Sequence, residues 1–100
     1  MTEDLIYHFH GQIPLAIGTG SKKSSAMMAL EDMQLKSFFK SIVTATDVIK
    51  PKPDPETFLK CAKEMNVNPK QCLVLEDGDM GIQAAETAGM YYIDVRGIVQ

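Results

Sequence analysis

The chain has 100 residues, of which 45% are hydrophobic and 23% are charged, and its formal net charge is -3. These values fit a single globular domain and exclude disordered and fibrous chains. The acidic balance offers no basic patch for nucleic acid, and no apolar run is long enough to span a bilayer. The first residues lack the basic and apolar regions of a signal peptide, so we expect a cytoplasmic protein that binds neither nucleic acid nor membranes.

The first half of the chain predicts helix, strand, helix and strand in turn. Apolar residues at helical spacing in residues 2–10 predict a helix that ends at Gly11. Residues 13–17 form an apolar run that predicts a strand. Residues 24–35 carry Ala26, Leu30 and Met33 at helical spacing and predict an amphipathic helix. The next strand is expected over residues 42–45.

The second half repeats this alternation after a stiff loop. Three prolines between residues 50 and 55 exclude both a helix and a central strand there. Residues 56–65 then predict a helix whose buried face carries Phe58, Ala62 and Met65. The apolar run 72–75 predicts a strand buried on both faces. A helix that stops at Gly89 and a strand over residues 91–95 complete the series.

This alternation predicts an α/β fold, in which a parallel sheet is flanked by helices and joined by right-handed crossovers. Residues 1–100 are expected to form one domain, with residues 1–11 as a helix that precedes the core. Cys61 and Cys72 match no common zinc or redox spacing. In a reducing compartment we expect two buried thiols rather than a disulfide.

Two carboxylates directly follow the apolar strand 72–75. Glu76 and Asp77 would lie at the carboxyl end of that strand, where open α/β sheets bind their ligands. Oxygen ligands of this kind suit Mg²⁺. The alternative is an acidic turn before a helix, with Asp79 as the N-cap.

Two further groups are expected at the same sheet edge. Thr19, Gly20 and Ser21 follow the strand 13–17 and offer a hydroxyl and backbone N–H groups, while Lys52 offers an ammonium. Such groups hold phosphoryl oxygens, and together with Mg²⁺ they would form a phosphoryl-transfer site. As alternatives, the glycine-rich stretch could be only a tight turn, and Lys52 could be a solvated loop lysine.

On these residues the chain resembles the haloacid dehalogenase superfamily, in its sugar-phosphate phosphatase and phosphoglucomutase-like branch, from about residue 13 onward. Residues 18–21 are similar to the second motif of that family, in which the position of Thr19 binds the transferring phosphoryl group. Residues 52–58 are similar to its Lys-Pro-x-Pro-x-x-Phe segment, in which Lys52 would be the catalytic lysine.

Residues 76–85, followed by residues 88–90, resemble the fourth motif of the family. The resemblance implies that Asp77 and, directly or through water, Glu76 hold Mg²⁺. The first motif of the family, Asp-x-Asp-x-Thr/Val, supplies the nucleophilic Asp and is absent from this chain. The family's helical cap, which selects the substrate, is absent as well.

The resemblance therefore implies roughly the second half of an enzyme, with a partial Rossmann-like sheet that lacks the first, central strand and the cap domain. That strand would lie between the strands predicted at 13–17 and 72–75. Unpaired edges invite pairing with another chain. We expect these two strands either to pair directly or to be buried in an oligomer or a strand-swapped assembly.

The function implied is part of a Mg²⁺-dependent phosphatase for small phosphorylated metabolites, with sugar phosphates as the expected class. Its aspartyl-phosphate would form on an Asp outside this chain. We expect the chain alone to be inactive and to bind Mg²⁺ weakly or not at all. One alternative is a phosphoryl-receiver domain, although receivers place their acidic pair first. Another is a truncated, non-catalytic fragment that associates with another chain. The sequence does not separate phosphatase from mutase.

Overall fold

A computed structural model describes residues 2–97, which alternate between helices and short strands. In chain order these are α1 (Thr2–Phe9), β1 (Ala16–Gly18), α2 (Lys23–Asp32), β2 (Ser41–Val43), α3 (Glu56–Met65), β3 (Leu73–Glu76), α4 (Asp79–Thr87) and β4 (Tyr91–Asp94). Both strand pairings are parallel, so the predicted α/β class is confirmed. No helix within residues 2–97 has the length and apolar character needed to cross a membrane.

The strands form two separate pairs. In β1–β2, Ile17 lies opposite Ile42, and in β3–β4, Leu75 lies opposite Ile93. Within residues 2–97, β1 and β3 share no backbone ladder, so of the two predicted outcomes direct pairing is wrong, and burial in an oligomer stays a prediction. Helix α3 packs against β1 and β2 and also contacts α4, so it lies between the two strand pairs and joins them.

The main core cluster lies between α3, α4 and one face of the β3–β4 pair. Small side chains let the two helices approach closely, because Ala62, Ala84 and Ala85 are almost completely buried. The buried members of the cluster are Phe58, Ala62, Cys72, Ala84, Ala85, Ala88 and Met90. Met65, Val67 and Val74 pack against it at the margin.

The opposite face of the β3–β4 pair is open. Leu73 and Leu75 are 58% and 41% exposed, and their register partners Tyr91 and Ile93 are exposed too. The prediction of a strand buried on both faces is therefore wrong. The physical reason is that the helices pack on the Val74 side, and no element within residues 2–97 covers the other side.

Several boundaries differ from the predictions by a few residues. Strand β1 begins at Ala16, and Ile13 is exposed. Met33 lies outside α2 and is half exposed, so it does not extend the predicted buried stripe. Strand β2 ends at Val43 because Thr44 caps a 3₁₀ turn, its hydroxyl accepting the N–H of Thr46.

Other predictions are confirmed. Helix α3 has the predicted bounds, and Phe58 and Ala62 are buried. Both cysteines, Cys61 and Cys72, are buried free thiols. Burial raises the pKa of Cys61 to about 11.

Candidate functional site

The carboxyl ends of β1 and β3 are linked by the side chain of Lys52. Its Nζ donates to the carbonyl oxygen of Gly18, at 3.1 Å, and lies 3.1 Å from Oε2 of Glu76. Gly18 is the last residue of β1 and Glu76 is the last of β3. Thr19 follows Gly18 directly. The structure thus brings the three predicted segments together at the carboxyl ends of the two strand pairs.

Lys52 is held in place rather than solvated. Its side chain is 16% exposed, and its Nζ lies 4.6 Å from the centroid of the Phe58 ring, a cation–π contact. The preceding loop is tied to α3, because the Glu56 carboxylate accepts the backbone N–H groups of Ile49 and Lys50 at 2.9 and 3.0 Å. These bonds lower the pKa of Glu56. The solvated-lysine alternative is therefore wrong.

Glu76 has its oxygens occupied. Oε2 faces Lys52, and Oε1 accepts the N–H groups of Asp77 and Gly78 at 3.0 and 3.2 Å. The carboxylate also lies against the first turn of α4, where a Cβ on Gly81 would come within 2.0 Å of Cδ and Oε2. A Cβ at position 81 would displace this carboxylate from its present place, and no role for Gly81 was predicted from the sequence.

Asp77 presents its carboxylate at the same edge. The residue is exposed, and within residues 2–97 no ion pair involves its side chain. Gly78 is the N-cap of α4 and Asp79 is its first residue, so the alternative with Asp79 as N-cap is wrong.

The carboxylates at this edge could bind Mg²⁺ through only one or two protein ligands. No group of three or more His, Cys, Asp or Glu in the described part of the chain could hold a metal. Mg²⁺ is nevertheless commonly bound by one or two carboxylates together with water and substrate phosphate. Asp77, which has no ion-pair partner among residues 2–97, fits such a site. Glu76 already accepts from Lys52 and from two backbone N–H groups, so it could join only through a remaining lone pair or through water.

Thr19, Gly20 and Ser21 form a hydrogen-bonded turn that is open to solvent. The N–H of Thr19 donates to Val43 at 2.9 Å, and its Oγ1 accepts the N–H of Ser21 at 3.1 Å. A Cβ on Gly20 would meet no atom within 4 Å. The N-cap of α2, Lys22, provides no side-chain cap, but the N–H of Lys23 donates to Oγ1 of Thr46 at 3.2 Å, so an anion could use only the N–H groups that follow it. Residues 19–21 thus form a turn, and the Thr19 hydroxyl and the Gly20 N–H lie in it as possible donors, so phosphate binding by this turn stays a prediction.

Sequence reasoning missed an ion cluster next to Asp77. Asp94 lies opposite Glu76 in the β3–β4 ladder. Arg96 pairs with both Asp94 and Asp79, at 2.7 and 2.9 Å. Hydrogen bonds from Arg96 lower the pKa of Asp94 to about 2. The only available signal was an Asp at the end of the last strand and an Arg two positions after it.

Comparison with known proteins places these motifs in a family. A family model described as haloacid dehalogenase-like hydrolase matches residues 2–95. The chain is 47% identical to fructose-1-phosphate phosphatase YqaB of Escherichia coli over 93 residues, which are 93% of this chain and 50% of that protein. It is 36% identical to beta-phosphoglucomutase of Bacillus subtilis, covering 81% of this chain and 36% of that protein.

The fold also matches solved structures. The crystal structure of a HAD-superfamily hydrolase of subfamily IA from Geobacter sulfurreducens superposes with a TM-score of 0.89 at 26% identity. The superposition covers 98% of this chain and 46% of that one. The chain spans about half the length of the first curated relatives it matches.

Proposed function

The chain belongs to the haloacid dehalogenase-like hydrolase family, and on that premise we propose that it is part of a Mg²⁺-dependent phosphatase of small phosphorylated metabolites. The observation that carries this proposal is the Lys52 ammonium, which lies 3.1 Å from both Gly18 and Glu76 beside the Thr19 turn. Sugar phosphates are the proposed substrate class. The names of two relatives, fructose-1-phosphate phosphatase and beta-phosphoglucomutase, support that class.

Lys52 is proposed as the catalytic residue of this chain. An ammonium has three N–H donors, and two of them point to Gly18 and Glu76. The third can be donated to a phosphoryl oxygen or to the nucleophile. Because the ammonium is fixed before the reaction, it can neutralise charge that develops in the transition state without reorganising.

The turn after β1 is proposed to bind the phosphoryl group. The Thr19 hydroxyl and the Gly20 N–H are donors of the kind that phosphate oxygens accept. The Ser21 N–H donates to Oγ1 of Thr19 in this structure, so it would have to turn from Thr19 to a phosphate oxygen to take part. Mg²⁺, when bound, would shield the negative charge of the phosphoryl group, with Asp77 and, directly or through water, Glu76 as ligands. We expect this binding to be weak in the chain alone.

The nucleophile of the proposed reaction lies outside this chain. Attack of an Asp carboxylate on phosphorus breaks the ester P–O bond, releases the alcohol and gives an aspartyl-phosphate, which water then hydrolyses. This chain supplies the groups that bind and neutralise phosphate. By itself it should not turn over. A cytoplasmic location stays a prediction.

We propose that the position of the missing central strand, between β1 and β3, is an assembly site. Within residues 2–97, β1 and β3 each pair with one strand only, so each has one free edge. Strand β3 also exposes the side chains of Leu73 and Leu75. Such edges accept a further strand. We propose that they are completed by another polypeptide, in an oligomer or a strand-swapped assembly.

The test is complementation. The chain is mixed with a polypeptide corresponding to the first half of a full-length relative, and phosphate release from fructose 1-phosphate is followed with and without Mg²⁺. We expect Mg²⁺-dependent activity only in the mixture, lost with Lys52→Ala and with Asp77→Asn. Lys36→Gln, which removes an exposed lysine paired with Glu31, serves as the control for lost charge.

Two results would contradict the proposal. An inactive mixture in which sedimentation shows a stable complex would refute the phosphatase assignment. Mg²⁺-dependent hydrolysis by the purified chain alone, abolished by Asp77→Asn, would refute the requirement for an external nucleophile. A stable phospho-Asp after exposure to a small phosphodonor would instead favour the receiver alternative.

A further inference from the structure

Arg96 joins two elements on either side of the proposed metal ligand. It lies in the turn Val95–Gly97, which follows β4. Its Nη2 lies 2.7 Å from Oδ2 of Asp94, its Nε lies 3.0 Å from Oδ1 of the same carboxylate, and its Nη1 lies 2.9 Å from Oδ1 of Asp79. The planar guanidinium therefore connects the end of β4 to the first residue of α4, at a surface where the side chains of Arg96 and Asp79 are 45% and 88% exposed.

The connection that this clamp spans is only two residues long. Asp77 and Gly78 lie between the end of β3 and the start of α4. At one end, Glu76 is in register with Asp94 on β4. At the other end, Asp79 is bound by Arg96. Both ends of the connection are thus tied to the carboxyl end of β4.

We propose that Arg96 is a positioning residue that holds the Asp77–Gly78 connection and so orients the Asp77 carboxylate. It also neutralises Asp79 and Asp94, which leaves Asp77 as the exposed carboxylate of this edge without an ion-pair partner among residues 2–97. The metal-related part of this inference rests on the proposed Mg²⁺ site. The ordering of the connection does not depend on that site.

The sign of the effect separates positioning from simple charge. A guanidinium near a cation site repels the cation, so charge alone predicts that Arg96→Gln strengthens binding and that Arg96→Lys leaves it unchanged. Positioning predicts that both variants bind the cation more weakly, because neither Gln nor Lys can donate to Asp79 and Asp94 at once as the planar guanidinium does. Lys36→Gln removes a distant positive charge and controls for the change in net charge.

The first measurement uses Mn²⁺ as the probe on the full chain. Paramagnetic broadening of the Gly78 amide signal in a titration gives the relative affinity. Groups that hydrogen-bond a metal ligand directly typically affect affinity by about 10-fold to 100-fold. Arg96 acts one step further out, through Asp79 and Asp94, so we expect a severalfold weakening in both Arg96 variants, below about 10-fold. Affinity equal to or higher than that of the parent chain in both variants would overturn the proposal.

The second measurement needs no metal. The N–H groups of Asp77 and Gly78 donate to Oε1 of Glu76 at 3.0 and 3.2 Å. We expect their amide exchange to become severalfold faster in both Arg96 variants, with the amides of α3 unchanged. Unchanged exchange at these two amides would overturn the proposal. If Mn²⁺ does not broaden Gly78 in the parent chain, the proposed metal site fails, and these exchange rates still decide the role of Arg96.

Discussion

Gly81→Ala tests whether the Glu76 carboxylate requires the space beside the first turn of α4. The added Cβ would lie 2.0 Å from Cδ and Oε2 of Glu76, so the carboxylate has to move. Moving it disrupts the contacts with Lys52 and with the backbone N–H groups of residues 77 and 78. The structure therefore predicts destabilisation by a substitution that normally favours a helix.

The change in the free energy of unfolding follows from two costs and one gain. Overpacking of a well-packed site costs about 1–3 kcal/mol. Hydrogen bonds to the charged carboxylate contribute about 1.5–3 kcal/mol. Only part of this stability is lost if the displaced Glu76 carboxylate is hydrated. Alanine gains about 1 kcal/mol over glycine inside a helix. We expect a net loss of about 2 kcal/mol in the free energy of unfolding, and roughly 10 °C in the melting temperature of a chain of this size.

Urea unfolding followed by circular dichroism measures this loss. Gly20→Ala is the matched control, because its Cβ meets no atom within 4 Å, and it should be neutral or slightly stabilising. In a Glu76→Ala background the clash is gone, so Gly81→Ala should then cost nothing or stabilise the chain. A Gly81→Ala variant as stable as the parent, or an equal loss in the Glu76→Ala background, would refute the reasoning.

Three further predictions concern stability and reactivity. Lys52→Met leaves the mostly buried Glu76 charge without its partner and should cost about 2 kcal/mol in urea unfolding, after allowance for partial exposure; an unchanged midpoint would contradict this. Hydrogen bonds from Thr44 lower the pKa of Asp47 below 3.8. Its contribution is therefore present above that pH and lost as the pH falls through the folded value, so Asp47→Asn should flatten the acid limb of stability against pH. Cys61, buried with a pKa of about 11, should resist a disulfide reagent at pH 8 until urea unfolds the chain, and rapid native labelling would show it to be accessible.

The helices were predictable where local signals agreed. Helix α3 has a proline before its first residue and a regular apolar spacing, so both its bounds and its buried Phe58 followed from the sequence. Strand ends were less predictable. The apolar run 13–17 contains Pro14, which has no N–H for a ladder, and β1 begins two residues later, at Ala16.

The site could be predicted only in part. Strand polarity was enough to place Thr19, Lys52 and Glu76 at one edge, because parallel strands share their carboxyl side. The partners of each side chain were not predictable, since the Lys52–Glu76 and Arg96–Asp79 pairs join distant positions across different elements. The exposure of Leu73 was missed for a related reason. An apolar run indicates what a strand can bury, but not whether a covering element is present.

The separation of the sheet into two pairs has a consequence for folding. Each pair is a short β-helix-β unit, with α2 between β1 and β2 and α4 between β3 and β4. Neither unit needs a strand from a distant part of the chain. Folding can therefore begin in either unit with contacts between residues that are close in sequence. Helix α3 then docks one unit on the other. A central strand from another polypeptide, as proposed above, would add a step whose rate depends on the concentration of both chains.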